Sequence, residues 1–103
     1  LTRQTLENDV IEMINLYKDT PGVLMFALGN ESNYGLEWSS FEIENLPVGE
    51  QHKEKAKSLY SLFNDIIAAG KEVDTNHPFT IVNGDIQYLD LIVEYCPTWI
   101  FSA

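Results

Sequence analysis

Between Gly49 and Gly70 the chain places Ala56, Leu59, Tyr60, Phe63, Ile66 and Ile67 at three- and four-residue intervals, the spacing of one apolar stripe along a long helix. That stripe has to be covered, so it constrains every other element, and Gly70 supplies a natural end. The first turns hold Lys53, Lys55 and Lys57 in the alternating run "HKEKAK", which reads as a solvated helix face, with His52 beside it at the surface. These three lysines are half of the six basic residues, set against sixteen Asp and Glu. The remainder is therefore more acidic than the net charge of −10 conveys.

A first helix is expected where Leu6, Val10, Met13, Ile14 and Tyr17 follow a capping Thr5, with Glu7, Asp9 and Glu12 mostly on the other side. Thr20, Pro21 and Gly22 stop it. "VLMFAL", residues 23–28, is apolar on both parities and predicts a strand covered on both faces or the centre of the sheet. "GNESNYG", residues 29–35, predicts an exposed loop presenting Tyr34. In "LEWSSFEIE", residues 36–44, the alternation changes phase at Ser39 and Ser40, which predicts an irregular strand with Glu42 and Glu44 on the side of Trp38.

Asn83 and Gly84 stand between "PFTIV" and "DIQYLDLIVEY", the sequence pattern of a two-residue hairpin turn. In the second strand Gln87, Leu89, Leu91, Val93 and Tyr95 would face the core. Ile86, Tyr88, Asp90, Ile92 and Glu94 would occupy a sheet face left uncovered by helices, so Asp90 would meet water or a partner. Beyond Pro97, Trp99, Ile100 and Phe101 form a short apolar segment suited to a fifth strand or to docking on a neighbouring chain. The expected fold class is α+β, one compact acidic domain over residues 1–103. Its two helices pack on one face of a mainly antiparallel sheet, in the order α-β-β-α-β-β with a possible short C-terminal strand.

The chain offers few groups for chemistry. It has no Gly-x-Gly-x-x-Gly run, phosphate loop, Cys-x-x-Cys or His-x-x-x-His spacing, so we expect no catalytic residues, no cofactor and no enzyme activity. "DTNHP" comes closest to a metal loop through Asp74, Asn76 and His77. Pro78 and Phe79 stand where an EF-hand needs an oxygen ligand and glycine, so no metal is expected and the segment reads as a polar loop entering a strand. Cys96 is the single cysteine and cannot form an intrachain disulfide; it reads as a small buried thiol in a reducing cytoplasm. The run Val23–Leu28 falls far short of the roughly 20 residues of a membrane span, and the start lacks the order of a signal peptide. "NES" at 30–32 would matter as a glycosylation sequon only in a secreted protein.

A charge of −10 repels a nucleic-acid backbone and complements a basic protein. The expected function is an acidic protein-binding module, an inhibitor or immunity-type protein that covers a basic, often nucleic-acid-binding, site on a partner. Tyr34, Trp38, Glu42, Glu44, Tyr88, Asp90 and Glu94 would form its surface, with the aromatics as anchors. The alternative is a small homodimeric chaperone or adaptor joined through Trp99, Ile100 and Phe101. The inferred element order resembles that of small acidic nuclease inhibitors and of the acidic dimeric chaperones of type III secretion. The likeness lies in element order alone and carries no residue roles.

Overall fold

The computed structural model describes residues 2–29, 40–81 and 89–100. Along the chain they form α1 (Arg3–Tyr17), β1 (Phe26–Leu28), α2 (Phe41–Glu44), α3 (Val48–Val73), β2 (Phe79–Ile81), α4 (Leu89–Tyr95) and α5 (Pro97–Ile100). The described chain is mostly helical and has two short strands, which corrects the expected α+β fold with its mainly antiparallel sheet. Helix has replaced strand wherever residues 41–44 and 89–100 were expected to extend the sheet.

α3 is the spine. Its buried Ala56, Tyr60, Phe63, Ile67 and Gly70 succeed one another at alternating steps of four and three residues, one continuous stripe. At a rise of 1.5 Å per residue its 26 residues run for about 39 Å, most of the 48 Å long axis. The helix does not stop at Gly70. It continues to Val73, and the Asp74 amide donates to the Gly70 carbonyl at 3.0 Å. Gly70 serves close packing instead: a Cβ there would lie 2.8 Å from Phe79 Cε1 and Cζ and 3.0 Å from Ile14 Cδ1. One missing side chain thus lets α1, α3 and β2 meet.

α1 lies along α3 in the same direction. Arg3 at its start donates to the Ser58 carbonyl (3.4 Å), the Ser61 hydroxyl (3.1 Å) and the Asp65 carboxylate (3.3 Å). Lys18 at its end donates to the Val73 carbonyl at 3.2 Å, placing a cation at the negative end of α3. The N-cap is Thr2 rather than Thr5: the Thr2 hydroxyl accepts from the Thr5 amide at 3.1 Å. Of the expected apolar face, Ile14 is buried and Leu6 and Val10 are partly buried, whereas Met13 and Tyr17 are exposed.

β1 and β2 pair in parallel, with Phe26 opposite Phe79, Ala27 opposite Thr80 and Leu28 opposite Ile81. A parallel pair needs a long crossover, and the segment containing α2 and α3 provides it. Within β1, Phe26 and Leu28 are buried and Ala27 is exposed, as is Met25, which precedes the strand on the parity of Ala27. The "VLMFAL" run is therefore covered on one face, which corrects the expectation of two.

In α4 the strand parity fails in detail. Ile92, assigned to the uncovered face, is buried, and Val93, assigned to the core, is exposed. A helical period explains both: Leu91, Ile92, Tyr95 and Cys96 turn inward while Asp90, Val93 and Glu94 turn outward. Asn64 on α3 holds the next turn by accepting from the Thr98 amide (3.1 Å) and hydroxyl (2.8 Å), and Lys71 donates to the Thr98 carbonyl at 3.0 Å. The Asn83–Gly84 turn lies outside the described residues, but its second strand is excluded from residue 89 onward by α4. The C-terminal strand is likewise replaced, through Ile100, by α5.

Candidate functional site

Ser40 starts α2 by accepting from the Ile43 amide at 3.4 Å, and Glu42 and Glu44 follow in the first turn, where a helix N-terminus favours acids. The phase change at Ser39 and Ser40 is therefore a helix start at Ser40, and Glu42 and Glu44 belong to a helix, not to a strand face. α2 buries Ile43 and leaves Phe41 77% exposed. The Gln51 side chain donates to the Leu46 carbonyl at 3.2 Å and ties the connection to α3. Between the two helices lies a groove of about 560 Å³ lined by Ser40, Glu42, Ile43, Leu46, Glu54 and Ser58. Ile43 and Leu46 supply apolar lining, and Glu42 and Glu54 are its carboxylates.

Asp90 and Glu94 stand four residues apart on α4, exposed on one helix face. Beside them the Lys57 ammonium lies 5.6 Å from the centre of the Tyr95 ring, a cation–π contact between α3 and α4. Burial raises the pKa of the Tyr95 hydroxyl, and the Glu94 charge and hydrogen bond and the Glu54 charge push it further the same way. Glu54 therefore belongs to two neighbourhoods. It lines the groove with Glu42, and its field reaches the tyrosine adjacent to Glu94.

Of the other residues expected at the partner surface, Tyr34, Trp38 and Tyr88 lie outside the described residues, as does Phe101 of the self-association segment. Trp99 and Ile100 belong to the backbone of α5. The "HKEKAK" face is exposed at Lys53 and Lys57, but Lys55 is buried. By helical spacing it lies on one ridge with Leu59, Leu62 and Ile66, at steps of four, three and four.

The "DTNHP" turn is an ordered polar cluster. Asp74 ends α3 and is buried; its carboxylate accepts from the Asn76 amide at 2.8 Å and pairs with His77 Nδ1 at 2.5 Å. The other ring nitrogen of His77 lies 3.1 Å from the Val23 carbonyl oxygen, and Phe26 contacts the ring edge-on at 5.4 Å. Burial works to raise the Asp74 pKa, but the Asn76 amide and the hydrogen bonds and charge of His77 outweigh it and hold the carboxyl below its ordinary range. With both nitrogens engaged, the imidazole acts as a strut between segments. The adjoining cleft, about 250 Å³, is lined by Lys18, Asp19, Glu72 and the 73–76 turn.

No family model, curated protein or solved structure matched the chain. Among the described residues no group of three or more His, Cys, Asp or Glu side chains is placed to hold a metal ion, and no helix is long and apolar enough to cross a membrane. Sequence reasoning missed Glu54 and Tyr95 as site neighbours and His77 as an inter-segment strut. Glu54 was hidden in a run read as a uniform solvated face, although on a helix consecutive residues point in different directions.

Proposed function

We propose that the chain is an acidic protein-binding module, with an inhibitor or immunity-type role toward a partner that presents a basic surface. The observation that carries this reading is the groove between α2 and α3, where two carboxylates, Glu42 and Glu54, accompany apolar Ile43 and Leu46 in a chain of net charge −10. Lysine and arginine have an apolar stem and a cationic head, so such a side chain can lay its stem on Ile43 and Leu46 and offer its head to the carboxylates. Phe41, exposed at the start of α2, is the nearest aromatic anchor in the sequence. Asp90 and Glu94 extend the acidic surface and raise the encounter rate with a cationic partner. We place this activity in a reducing compartment such as the cytoplasm, the usual setting for proteins without disulfides.

The test uses the chain as bait in host lysate at low salt, followed by elution across a salt gradient and kinetic measurement on the partner recovered. A basic partner should associate with the wild type, leave as salt rises, and bind several-fold more slowly to Glu42→Gln/Glu54→Gln and to Asp90→Asn/Glu94→Gln. An on-rate unchanged in both variants at low salt would remove these carboxylates from the interface. Recovery of the chain alone as a stable oligomer would favour the homodimeric chaperone or adaptor, with Trp99, Ile100 and Phe101 the residues to replace next.

A further inference from the structure

His77 is caught between two oxygens. Its Nδ1 lies 2.5 Å from Asp74 Oδ2, its Nε2 lies 3.1 Å from the Val23 carbonyl oxygen, and its side chain is 15% exposed against 2% for Asp74. A carbonyl oxygen and an ionised carboxylate accept hydrogen bonds and donate none. Neutral imidazole has one N–H and one lone pair, so it can satisfy only one of these neighbours. The imidazolium, with two N–H groups, satisfies both.

We propose that Asp74, His77 and the Val23 carbonyl form a proton-held latch, in which the imidazolium ties the end of α3 to the chain entering β1 and loss of its proton releases that tie. The bond to Val23 spans 54 residues of sequence. It sits next to the first link of the parallel pair, where the Phe26 amide donates to the Pro78 carbonyl at 3.0 Å. Release would loosen the lead-in to β1, which carries the exposed Leu24 and Met25. The charged groups around the cleft are Lys18 and Asp19 from the end of α1 and Glu72 from the end of α3, together with Asp74 itself. Lys18 is engaged with the Val73 carbonyl, and three carboxylates to one ammonium leave the surroundings favourable to a second cation. Phe26 of β1, which packs against the ring edge, carries no charge. Because the Asp74 carboxyl is held below its ordinary range, it stays ionised across the pH interval in which histidine side chains change charge.

The sign follows from linkage. A proton kept by the native state and absent from the unfolded chain stabilises the fold at lower pH, and that contribution disappears as pH rises. Ring nitrogen chemical shifts of His77 measured on the wild type from pH 5 to 8.5 test the latch directly. A closed latch should show both His77 ring nitrogens protonated, each N–H facing its acceptor. The unfolding constant of the wild type should rise by up to about tenfold per pH unit wherever the native state holds a proton that the unfolded chain has lost, a single-proton dependence. That dependence should be absent from His77→Gln. A His77 ring with only one protonated nitrogen at neutral pH, or an equal pH dependence in wild type and His77→Gln, would overturn the proposal. The ring measurement needs no variant, so it decides the matter even if a substitution prevents folding.

Discussion

Replacing Gly70 by alanine sets two opposing effects against each other. Alanine is favoured over glycine inside a helix by about 0.8–1 kcal/mol, so propensity alone predicts a more stable protein. The new methyl, however, would sit 2.8 Å from two ring carbons of Phe79 and 3.0 Å from Ile14 Cδ1, where carbon pairs prefer about 3.5–4.0 Å. The ring has no route of escape: Phe79 is 2% exposed, leans on the Phe26 ring at 5.6 Å and is fixed in register by the β1–β2 pair. Ile14 is fully buried, so it cannot yield into solvent either. Overpacking of this kind costs about 1–3 kcal/mol, which exceeds the propensity gain and leaves a net loss of about 1 kcal/mol. Gly49→Ala is the matched control, because nothing lies within 4 Å of a Cβ there, and it should be neutral or stabilising by up to about 1 kcal/mol. Thermal unfolding followed by far-ultraviolet circular dichroism should separate the two variants by roughly 5–15 °C, with Gly70→Ala the lower, since 1 kcal/mol moves a domain of this size by about 4–8 °C. Trimming the ring in Gly70→Ala/Phe79→Leu should recover part of the alanine's cost, a favourable coupling in a double-mutant cycle. If Gly70→Ala melts as high as Gly49→Ala, the close meeting of α1, α3 and β2 is not the reason for this glycine.

Thr2→Ala should lower stability by about 1 kcal/mol through loss of the α1 cap, measured as a shift in the urea midpoint at unchanged slope. Lys18→Met should cost about 0.3–1 kcal/mol by uncovering the last carbonyls of α3, and the deficit should shrink in high salt. The lowered pKa of Asp74 contributes stability that is present above its unfolded value, about 3.9, and is lost as pH falls through its native value. Asp74→Asn should therefore trail the wild type at neutral pH, with the gap narrowing in acid unfolding curves. Phenolate absorbance in alkaline titration should show Tyr95 ionising above the ordinary tyrosine range, and Glu94→Gln should bring it back toward that range.

What the sequence revealed depended on how many turns a pattern had in which to repeat. The stripe from Ala56 to Ile67 recurs over enough turns of α3 that no strand register can imitate it. The segment from Leu89 to Tyr95 has only seven residues, two of them acids, and a short, mostly apolar run fits a strand or a helix equally well by period. Its burial separates the two, since Ile92 and Cys96, four apart, are both inside. For α2 the deciding signal was local and present: Ser40 followed by Glu42 and Glu44 is a cap with acids in the first turn, and the phase break there marked its start. The parallel pairing was not legible, because Phe26 and Phe79 lie 53 residues apart and no local pattern links their strands. Glu42 could be named from sequence as a surface carboxylate, but its company with Glu54 depends on how α2 folds back against α3.

α3 also determines how the two candidate features relate. Glu54 on the groove and Asp74 at the latch are twenty residues apart along this helix, a separation of about 30 Å, well beyond the range over which substitutions normally couple. Loss of the latch in His77→Gln should then leave the response of partner binding to Glu42→Gln/Glu54→Gln unchanged, and the combined variant should show the sum of the separate effects. A latch variant that keeps its helix content but loses partner affinity would carry a different meaning. It would show that the seating of α1 and β1 on the far end of α3 sets the position of α2, and that protonation at His77 is felt at the groove through the one element common to both.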